Sequence, residues 1–286
     1  EIPEIDALLG TNELNLVPKV IEKVLAGQRV LERTHELFDY NQSYQRISTT
    51  GSHFAYLKIA EGCSHSCAFC VIPAIRGKYR SRTPQSIVAE AKNMRSQGVQ
   101  EIAVIAQDTT AYGRDLGTNI TELLRQLASI DFPRIRLLYT YPTAINDGLL
   151  DLMNSEPNLM KYIDLPLQHV AANVLRAMRR PGNYQSTVEL IHRIRQRIPG
   201  VFIRSSFIVG YPGETEAEFQ TLLDFLKAAQ LDRCGIFMFS PEEGTPAYDL
   251  QPQVDEETKE ERYRMAMELQ QQISLGKKKK LLGKTL

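Results

Sequence analysis

Three cysteines within eight residues are the part of the sequence best suited to chemistry. Cys63, Cys67 and Cys70 have the spacing C-x-x-x-C-x-x-C. Three thiolates on one short loop can each bind one iron of a [4Fe-4S] cluster, which leaves the fourth iron without a protein ligand. The spacing therefore predicts a cluster with one open iron, where a small molecule could bind.

Two other uses of these cysteines remain open at this stage. A structural zinc site could add His65, although such sites usually bring two ligand pairs from separated turns and His65 lies between two of the cysteines. An electron carrier of the ferredoxin kind would need a fourth cysteine nearby. The remaining one, Cys234, lies in an apolar segment and is predicted to be a buried core residue.

The elements that must position the cysteine motif alternate between short apolar runs and amphipathic helical patterns. This alternation is typical of β-α units that form a parallel sheet. Six units are two fewer than a full eightfold barrel has, so we predict an α/β fold, an open TIM-like partial (β/α)6 barrel, with a doubly wound sheet as the alternative. In both architectures ligands bind at the carboxyl ends of the strands. The predicted strands are residues 54–59, 101–106, 135–139, 162–165, 202–209 and 233–239.

Helix signals support this arrangement. Thr83 and Pro84 predict a helix start after the first strand, and Thr215 with Glu218 forms a capping-box pattern after the fifth. Outside the barrel, the sequence predicts a strand at residues 7–9, a helix at 17–25 and a polar connection at 41–52. The segment 255–280 predicts a charged helix.

Composition excludes some classes of protein. With 43% hydrophobic residues the chain can bury one large core, and its 34 basic and 34 acidic residues balance, so no overall field indicates a nucleic-acid partner. No apolar run is long enough to span a membrane, and the first residues do not resemble a signal peptide. The clustered cysteines favour metal binding in a reducing compartment, so we expect a cytoplasmic protein. Two basic stretches could contact an acidic partner or could simply be solvated: Arg76, Lys78, Arg80 and Arg82, and residues 277–280.

The cysteine motif, with the aromatic Phe69 before the third cysteine and a run of β-α units after it, resembles the radical S-adenosylmethionine (SAM) superfamily. More narrowly, the chain resembles the radical SAM methylthiotransferases of the RimO type, which modify the β carbon of an aspartate in small-subunit ribosomal protein twelve. The tRNA-modifying MiaB type is the alternative, and it resembles this chain less after the second and third strands. The segments that carry the resemblance are residues 106–113, 141–142, 165–169 and 208–215.

This resemblance implies a [4Fe-4S] cluster on the three cysteines, SAM as the second cofactor, and no catalytic residue beyond the cluster. Gln107 and Asp108 follow the second strand, where the methionine amino group of SAM is expected, although a loop cap is the alternative role for this pair. Arg204 could equally form an ion pair, and the two glycines could serve a tight turn alone. The implied SAM-binding residues are Phe69, Gln107, Asp108, Gln168, Arg204, Gly210 and Gly213.

The resemblance also implies a domain plan. Residues 1–50 are expected to be a remnant of an N-terminal methylthiotransferase domain and its linker, residues 51–250 the radical SAM barrel, and residues 251–286 a C-terminal helix and the start of a truncated TRAM domain. A second [4Fe-4S] cluster, the sulfur source, is expected only in the full-length protein. This chain alone is therefore expected to cleave SAM without transferring sulfur. The expected partners are a ribosome-associated small-subunit ribosomal protein, an external electron donor and RNA contacted through the TRAM domain, with no membrane.

Overall fold

The computed structural model describes residues 2–32, 38–41 and 53–284, which divide into two compact units, Glu1–Arg46 and Ile47–Leu286. In the first unit, strand β1 (Ala7–Leu9) is followed by helix α1 (Val17–Leu25) and strand β2 (Val30–Glu32). The two strands pair in parallel. The strand and helix predicted here are confirmed, while β2 was not predicted. Most of the predicted connection at 41–52 lies outside the described residues.

The second unit contains the large sheet and the helices that cover it. Strands β3 (Phe54–Lys58), β6 (Glu101–Ile105), β7 (Arg134–Leu137), β8 (Leu159–Asp164), β9 (Phe202–Val209) and β10 (Arg233–Met238) form it. A short antiparallel ribbon joins β4 (Ala60–Glu61) to β5 (Arg80–Ser81). The helices are α2 (Ile72–Arg76), α3 (Pro84–Ser96), α4 (Ile120–Ala128), α5 (Asp147–Ser155), α6 (Ala172–Ala177), α7 (Tyr184–Arg197), α8 (Glu216–Ala229) and α9 (Glu256–Lys279).

The strand order identifies the architecture. The sheet runs β10-β9-β8-β7-β6-β3, and every neighbouring pair is parallel. A doubly wound sheet reverses its strand order at a switch point. Here the strands of the sheet follow one another across it in chain order, without a reversal. In the described part of the chain β3 and β10 remain edge strands. The predicted α/β fold, an open partial barrel of six units, is confirmed.

Burial alternates from one residue to the next along the strands, so the sheet has one face covered by helices and one concave face. In β9 the buried residues Ile203, Ser205, Phe207 and Val209 alternate with half-buried ones, as the period of two requires. The buried set joins the apolar faces of the helices in one continuous core. The concave face carries polar and aromatic side chains, and the carboxyl ends of its strands lead into the loops described next.

The helix ends follow the predicted local chemistry. Thr83 accepts a hydrogen bond from the Ser86 amide at the start of α3, and Thr215 forms a complete capping box with Glu218 at the start of α8. The charged helix predicted at 255–280 is α9, capped by Asp255. It packs against β10 and α8, within the same compact unit as the sheet. None of the described helices is long and apolar enough to cross a lipid bilayer.

Candidate functional site

The cysteine loop, residues 62–70, is held in place by backbone contacts. Gly62 opens the loop with φ +81, and a Cβ there would lie 2.3 Å from the carbonyl oxygen of Lys78, so only glycine fits without displacing the backbone. The Cys63 amide donates to the Gly77 carbonyl at 3.1 Å, and the Ala68 amide donates to the Met178 carbonyl at 3.0 Å. The loop is therefore pinned at both ends to segments that are distant in sequence.

All three cysteines of the loop line one cavity at the carboxyl end of the sheet. Its volume is about 210 Å³. Four of the seven predicted SAM-binding residues also line it, namely Phe69, Gln107, Asp108 and Gln168. The structure thus brings together the predicted cluster ligands and residues from the loops after β6 and β8. The other lining residues are His65, Ile72, Tyr139, Thr140, Tyr141, Pro166 and Arg180.

The surroundings of the free thiols disfavour their anionic form, and one cation opposes this effect. Burial raises the pKa of Cys63 and of Cys70, and the neighbouring Cys67 raises both further. Arg180 lies beside them, with its Nη1 3.6 Å from the Cys67 sulfur. Metal binding removes the proton from a thiol outright, and a guanidinium next to the loop would stabilise the resulting negative charge.

The positions of the side chains do not fit a single zinc ion. Among residues 2–32, 38–41 and 53–284, no three His, Cys, Asp or Glu side chains converge closely enough to hold one metal ion. Zinc needs four ligands within about 2.0–2.3 Å of one point. A [4Fe-4S] cube instead places its thiolates around separate irons. Nε2 of His65, the proposed fourth zinc ligand, lies 2.7 Å from Oδ2 of Asp108, so only its Nδ1 could bind a metal.

Asp108 has the loop-capping geometry considered as its alternative role. Its Oδ1 accepts from the amides of Thr110 at 2.9 Å and Ala111 at 3.2 Å, at the start of a short 3-10 helix. Its other oxygen meets His65, and the residue is 2% exposed. Any contact with SAM would share oxygens that already have partners. A SAM-binding role for Asp108 stays a prediction.

Gln107 presents the one acceptor in this cavity that is buried and unpaired among the described residues. Its amide nitrogen donates to Oε1 of Glu61 at 2.9 Å, and this bond sets the orientation of the amide group. Its carbonyl oxygen is buried without a hydrogen-bond partner. Leaving a buried acceptor unpaired costs about 1–3 kcal/mol. A ligand carrying N–H donors, such as an ammonium group, would satisfy it.

Tyr141 and Arg180 also belong to the site, although no sequence pattern pointed to Arg180. The His65 ring stacks on the Tyr141 ring at 3.8 Å, with only 9° between their planes. The Arg180 guanidinium lies 4.6 Å from the centroid of the same Tyr141 ring. Arg180 also donates to the Pro166 carbonyl at 2.7 Å. This stack joins the cysteine loop to the segments that follow β7 and α6.

The remaining three predicted SAM-binding residues lie away from the lining of this cavity. Arg204 forms an ion pair with Asp164 at 2.8 Å. Gly210 has φ +69, and a Cβ there would lie 2.3 Å from Cγ of Lys259 on α9, while Gly213 has φ +77 and open space around it. Arg204 thus forms the ion pair considered as its alternative role, and the two glycines lie in a turn. Contacts of these three residues with SAM stay predictions.

A buried carboxylate holds the turn after β9 to helix α9. The Glu214 carboxylate accepts from the Gly210 amide and forms an ion pair with Nη1 of Arg262 at 3.3 Å, and its Oε1 lies 3.3 Å from Nε2 of His169. The side chains of Glu214 and His169 are fully buried and that of Arg262 is 8% exposed. A charge buried this deeply is stable only when it is paired.

The first basic stretch is not one continuous surface. Arg82 is 7% exposed and pairs with Glu90 at 2.5 Å, and Arg76 lies 3.8 Å from Glu61. These two arginines therefore have structural partners. At the other stretch, Lys277 pairs with Asp232 at 2.5 Å.

Comparison with known proteins gives results at three levels. The family model of the Radical SAM superfamily matches residues 57–226. The chain is 47% identical to the ribosomal protein uS12 methylthiotransferase RimO of Desulforamulus reducens, over 100% of the chain and 65% of that protein. The protein of the same name from Geobacter sulfurreducens is 43% identical, over 99% of this chain and 64% of that protein. The chain thus spans slightly less than two thirds of the length of these relatives.

Solved structures with the same fold are much more distant in sequence. The radical SAM methyltransferase TsrM from Kitasatospora setae, with tryptophan and a SAM analogue bound, superposes with a TM-score of 0.59 at 19% identity, covering 72% of this chain and 42% of that one. Coproporphyrinogen III oxidase (HemN) from Escherichia coli gives a TM-score of 0.57 at 16% identity, covering 79% and 54%. At these identities the likeness is one of fold.

Proposed function

The chain belongs to the radical SAM superfamily, and from that membership we propose that it is the radical core of a methylthiotransferase acting on an aspartate of ribosomal protein uS12. The observation that carries the proposal is the cavity that Cys63, Cys67 and Cys70 line together with Gln107 and Gln168. The similarity to RimO proteins over the whole chain supports the choice of reaction and substrate.

The three loop cysteines would hold a [4Fe-4S] cluster. When bound, the cluster and SAM would supply a 5′-deoxyadenosyl radical able to remove hydrogen from an unactivated carbon. Arg180 would stabilise the negative charge of the loop thiolates from its position beside Cys67. Pinning of residues 62–70 to the Gly77 and Met178 carbonyls would keep the three sulfurs on one side of the cavity.

The polar residues of the cavity would orient SAM. The buried carbonyl of Gln107 suits the ammonium of the methionine part, because it needs a donor and its own amide nitrogen is committed to Glu61. Phe69 would lie beside the adenine, and Gln168 would contact the ribose or carboxylate. Asp108 would act mainly by fixing the position of His65, whose ring stacks on the ring of Tyr141. We assign no general acid or base.

The substrate and partners follow from the relatives rather than from the cavity. Both relatives named above carry a ribosomal-protein name, which favours uS12 over the tRNA alternative. We further propose that residues 51–250 act as the barrel, that an external protein donates the electron, and that a second [4Fe-4S] cluster outside this chain supplies sulfur. Contact with RNA through a TRAM domain and a cytoplasmic location complete the proposal.

The test has two arms, both run anaerobically on protein reconstituted with iron and sulfide. With SAM and dithionite alone, chromatography should detect 5′-deoxyadenosine, and its absence would refute the radical-core assignment. With uS12 or tRNA added to the full-length protein, mass spectrometry should find one methylthio group replacing one hydrogen on uS12 only. Modification of tRNA instead would retain the radical core and refute the proposed substrate.

A further inference from the structure

A second cavity adjoins the one that contains the cysteines. Lys58, Ile105, Ala106, Gln107 and Tyr139 line it. Gln107 and Tyr139 line both cavities, so the two are neighbours. Lys58 and Ile105 are register partners in the parallel pair of β3 and β6, and their side chains therefore project from the same face of the sheet. That face is the concave one.

Tyr139 stands between the two cavities in an unfavourable backbone conformation. Its φ is +57, a region in which bulky residues are uncommon. Hydrogen bonds hold it there from both sides, because its carbonyl accepts from the Thr109 amide at 3.0 Å and its amide donates to Asp164 at 3.2 Å. Its side chain is nevertheless not buried, since the residue is 45% exposed. Such strain, enforced around an exposed ring, is typical of ligand-binding positions.

Lys58 brings an oriented positive charge into the second cavity. Its ammonium pairs with Glu61, whose side chain is only 3% exposed. Glu61 is itself fixed, since it accepts from the Gln107 amide at 2.9 Å and from the Gly62 amide at 3.3 Å. An ammonium has three N–H donors and can serve more than one acceptor at the same time. The lysine is thus held at the wall of the cavity and can still meet an anion.

We propose that the second cavity binds the acidic side chain of the substrate, with Lys58 pairing with its carboxylate. This inference rests on the proposed function and names the specificity residue for it. The apolar walls from Ile105 and Ala106 make a carboxylate dependent on a charged partner. Arg204, another cation near Tyr139, pairs with the buried Asp164 and does not line this cavity, whereas Lys58 does. Lys58 therefore selects an acidic side chain over its neutral amide and places it next to the SAM cavity.

The experiment is a binding cycle on the reconstituted, SAM-bound protein without reductant. Dissociation constants are measured for uS12 and for uS12 with the target aspartate changed to asparagine, using the wild-type protein and Lys58→Gln. Wild type should prefer the aspartate form by roughly 10- to 100-fold, the usual effect of a charge-assisted hydrogen bond. Lys58→Gln should lose most of that preference while its iron content stays unchanged. A merely structural role would weaken both substrate forms equally.

Arg136→Gln is the matched control. Arg136 faces the same concave surface, since its register partner is Ala103, but it pairs with Glu101 at the opposite end of the strands at 2.7 Å. It should keep the full preference. If Lys58→Gln does not fold, Lys58→Arg in the full-length protein decides. Its longer guanidinium would occupy the cavity, so the KM for uS12 should rise at least about tenfold with SAM affinity unchanged.

Each outcome supports or overturns the inference. An undiminished preference in Lys58→Gln, an equal loss in Arg136→Gln, or an unchanged KM in the arginine variant overturns the role of Lys58 while leaving the proposed function intact. If the wild-type protein neither binds nor modifies uS12, the proposed function fails, and the inference fails with it.

Discussion

Replacing Glu214 by alanine should destabilise the barrel through the loss of one buried counterion. The change removes the acceptor of the Gly210 amide, the contact with His169 and the carboxylate that faces Arg262. Breaking a buried ion pair from one side typically costs about 3–5 kcal/mol. Arg262 keeps the Glu214 main-chain carbonyl at 3.0 Å and Glu216 at 3.6 Å. We therefore expect a decrease in the free energy of unfolding near the lower limit, about 3 kcal/mol.

Glu216→Ala is the matched control, because it removes a carboxylate from the same guanidinium on the solvent side. The Glu216 side chain is 75% exposed, and an exposed pair contributes at most about 1 kcal/mol. Urea unfolding followed by circular dichroism at fixed pH measures both variants, and the midpoints are compared at equal m-value. Equal losses in the two variants, or a loss below 1 kcal/mol for Glu214→Ala, would show that Arg262 does not depend on the buried carboxylate.

Three further predictions concern the site. Alanine in place of any one of the three loop cysteines should abolish bound iron after reconstitution, whereas Cys234→Ala should retain it. Iron analysis and the visible spectrum measure the bound iron, and equal loss in all four variants would contradict the open-iron assignment. Gly210→Ala should lower stability by about 1–2 kcal/mol for its left-handed backbone alone, with more if Lys259 cannot move; an unchanged urea midpoint would mean that the turn relaxes. Asp108→Ala should lower the free energy of unfolding by about 1 kcal/mol through the lost cap and should weaken SAM binding, whereas Asp108→Asn should retain more stability and more SAM affinity. Equal SAM affinities of the two variants by calorimetry would refute this prediction.

The fold was predictable wherever apolar residues marked both ends of an element. The fifth strand was predicted with its observed bounds, Phe202–Val209, because apolar residues lie at both of its ends, although the burial alternates along it and includes the polar Ser205. The fourth strand was predicted to start at residue 162 but begins at Leu159, since the exposed Lys161, which binds Asn154, interrupts the apolar run. The strand Val30–Glu32 has only three residues, too few for any period to show.

The site was predictable only where a local pattern marks the residue, such as a cysteine spacing or a polar residue directly after a strand. The cysteine spacing gave the loop, and polar residues after the strands gave Gln107 and Gln168. The part played by Arg180 could not be predicted, because the residue lies 113 positions from Cys67 and reaches it only through packing. For Arg204 the sequence could not distinguish a SAM contact from an ion pair, since the answer depends on Asp164, a residue of the neighbouring strand.

The link between Glu214 and Arg262 also has a consequence for the order of biosynthesis. Translation proceeds from the N-terminus, so Arg262 on α9 emerges from the ribosome after all six strands of the sheet. Until then the carboxylate of the turn after β9 has no guanidinium beside it, and Gly210 has no helix packed against it. The nascent sheet can form earlier, but this edge of it matures last. A pause in translation before residue 262 would therefore leave the turn after β9 with a buried carboxylate that lacks its guanidinium partner.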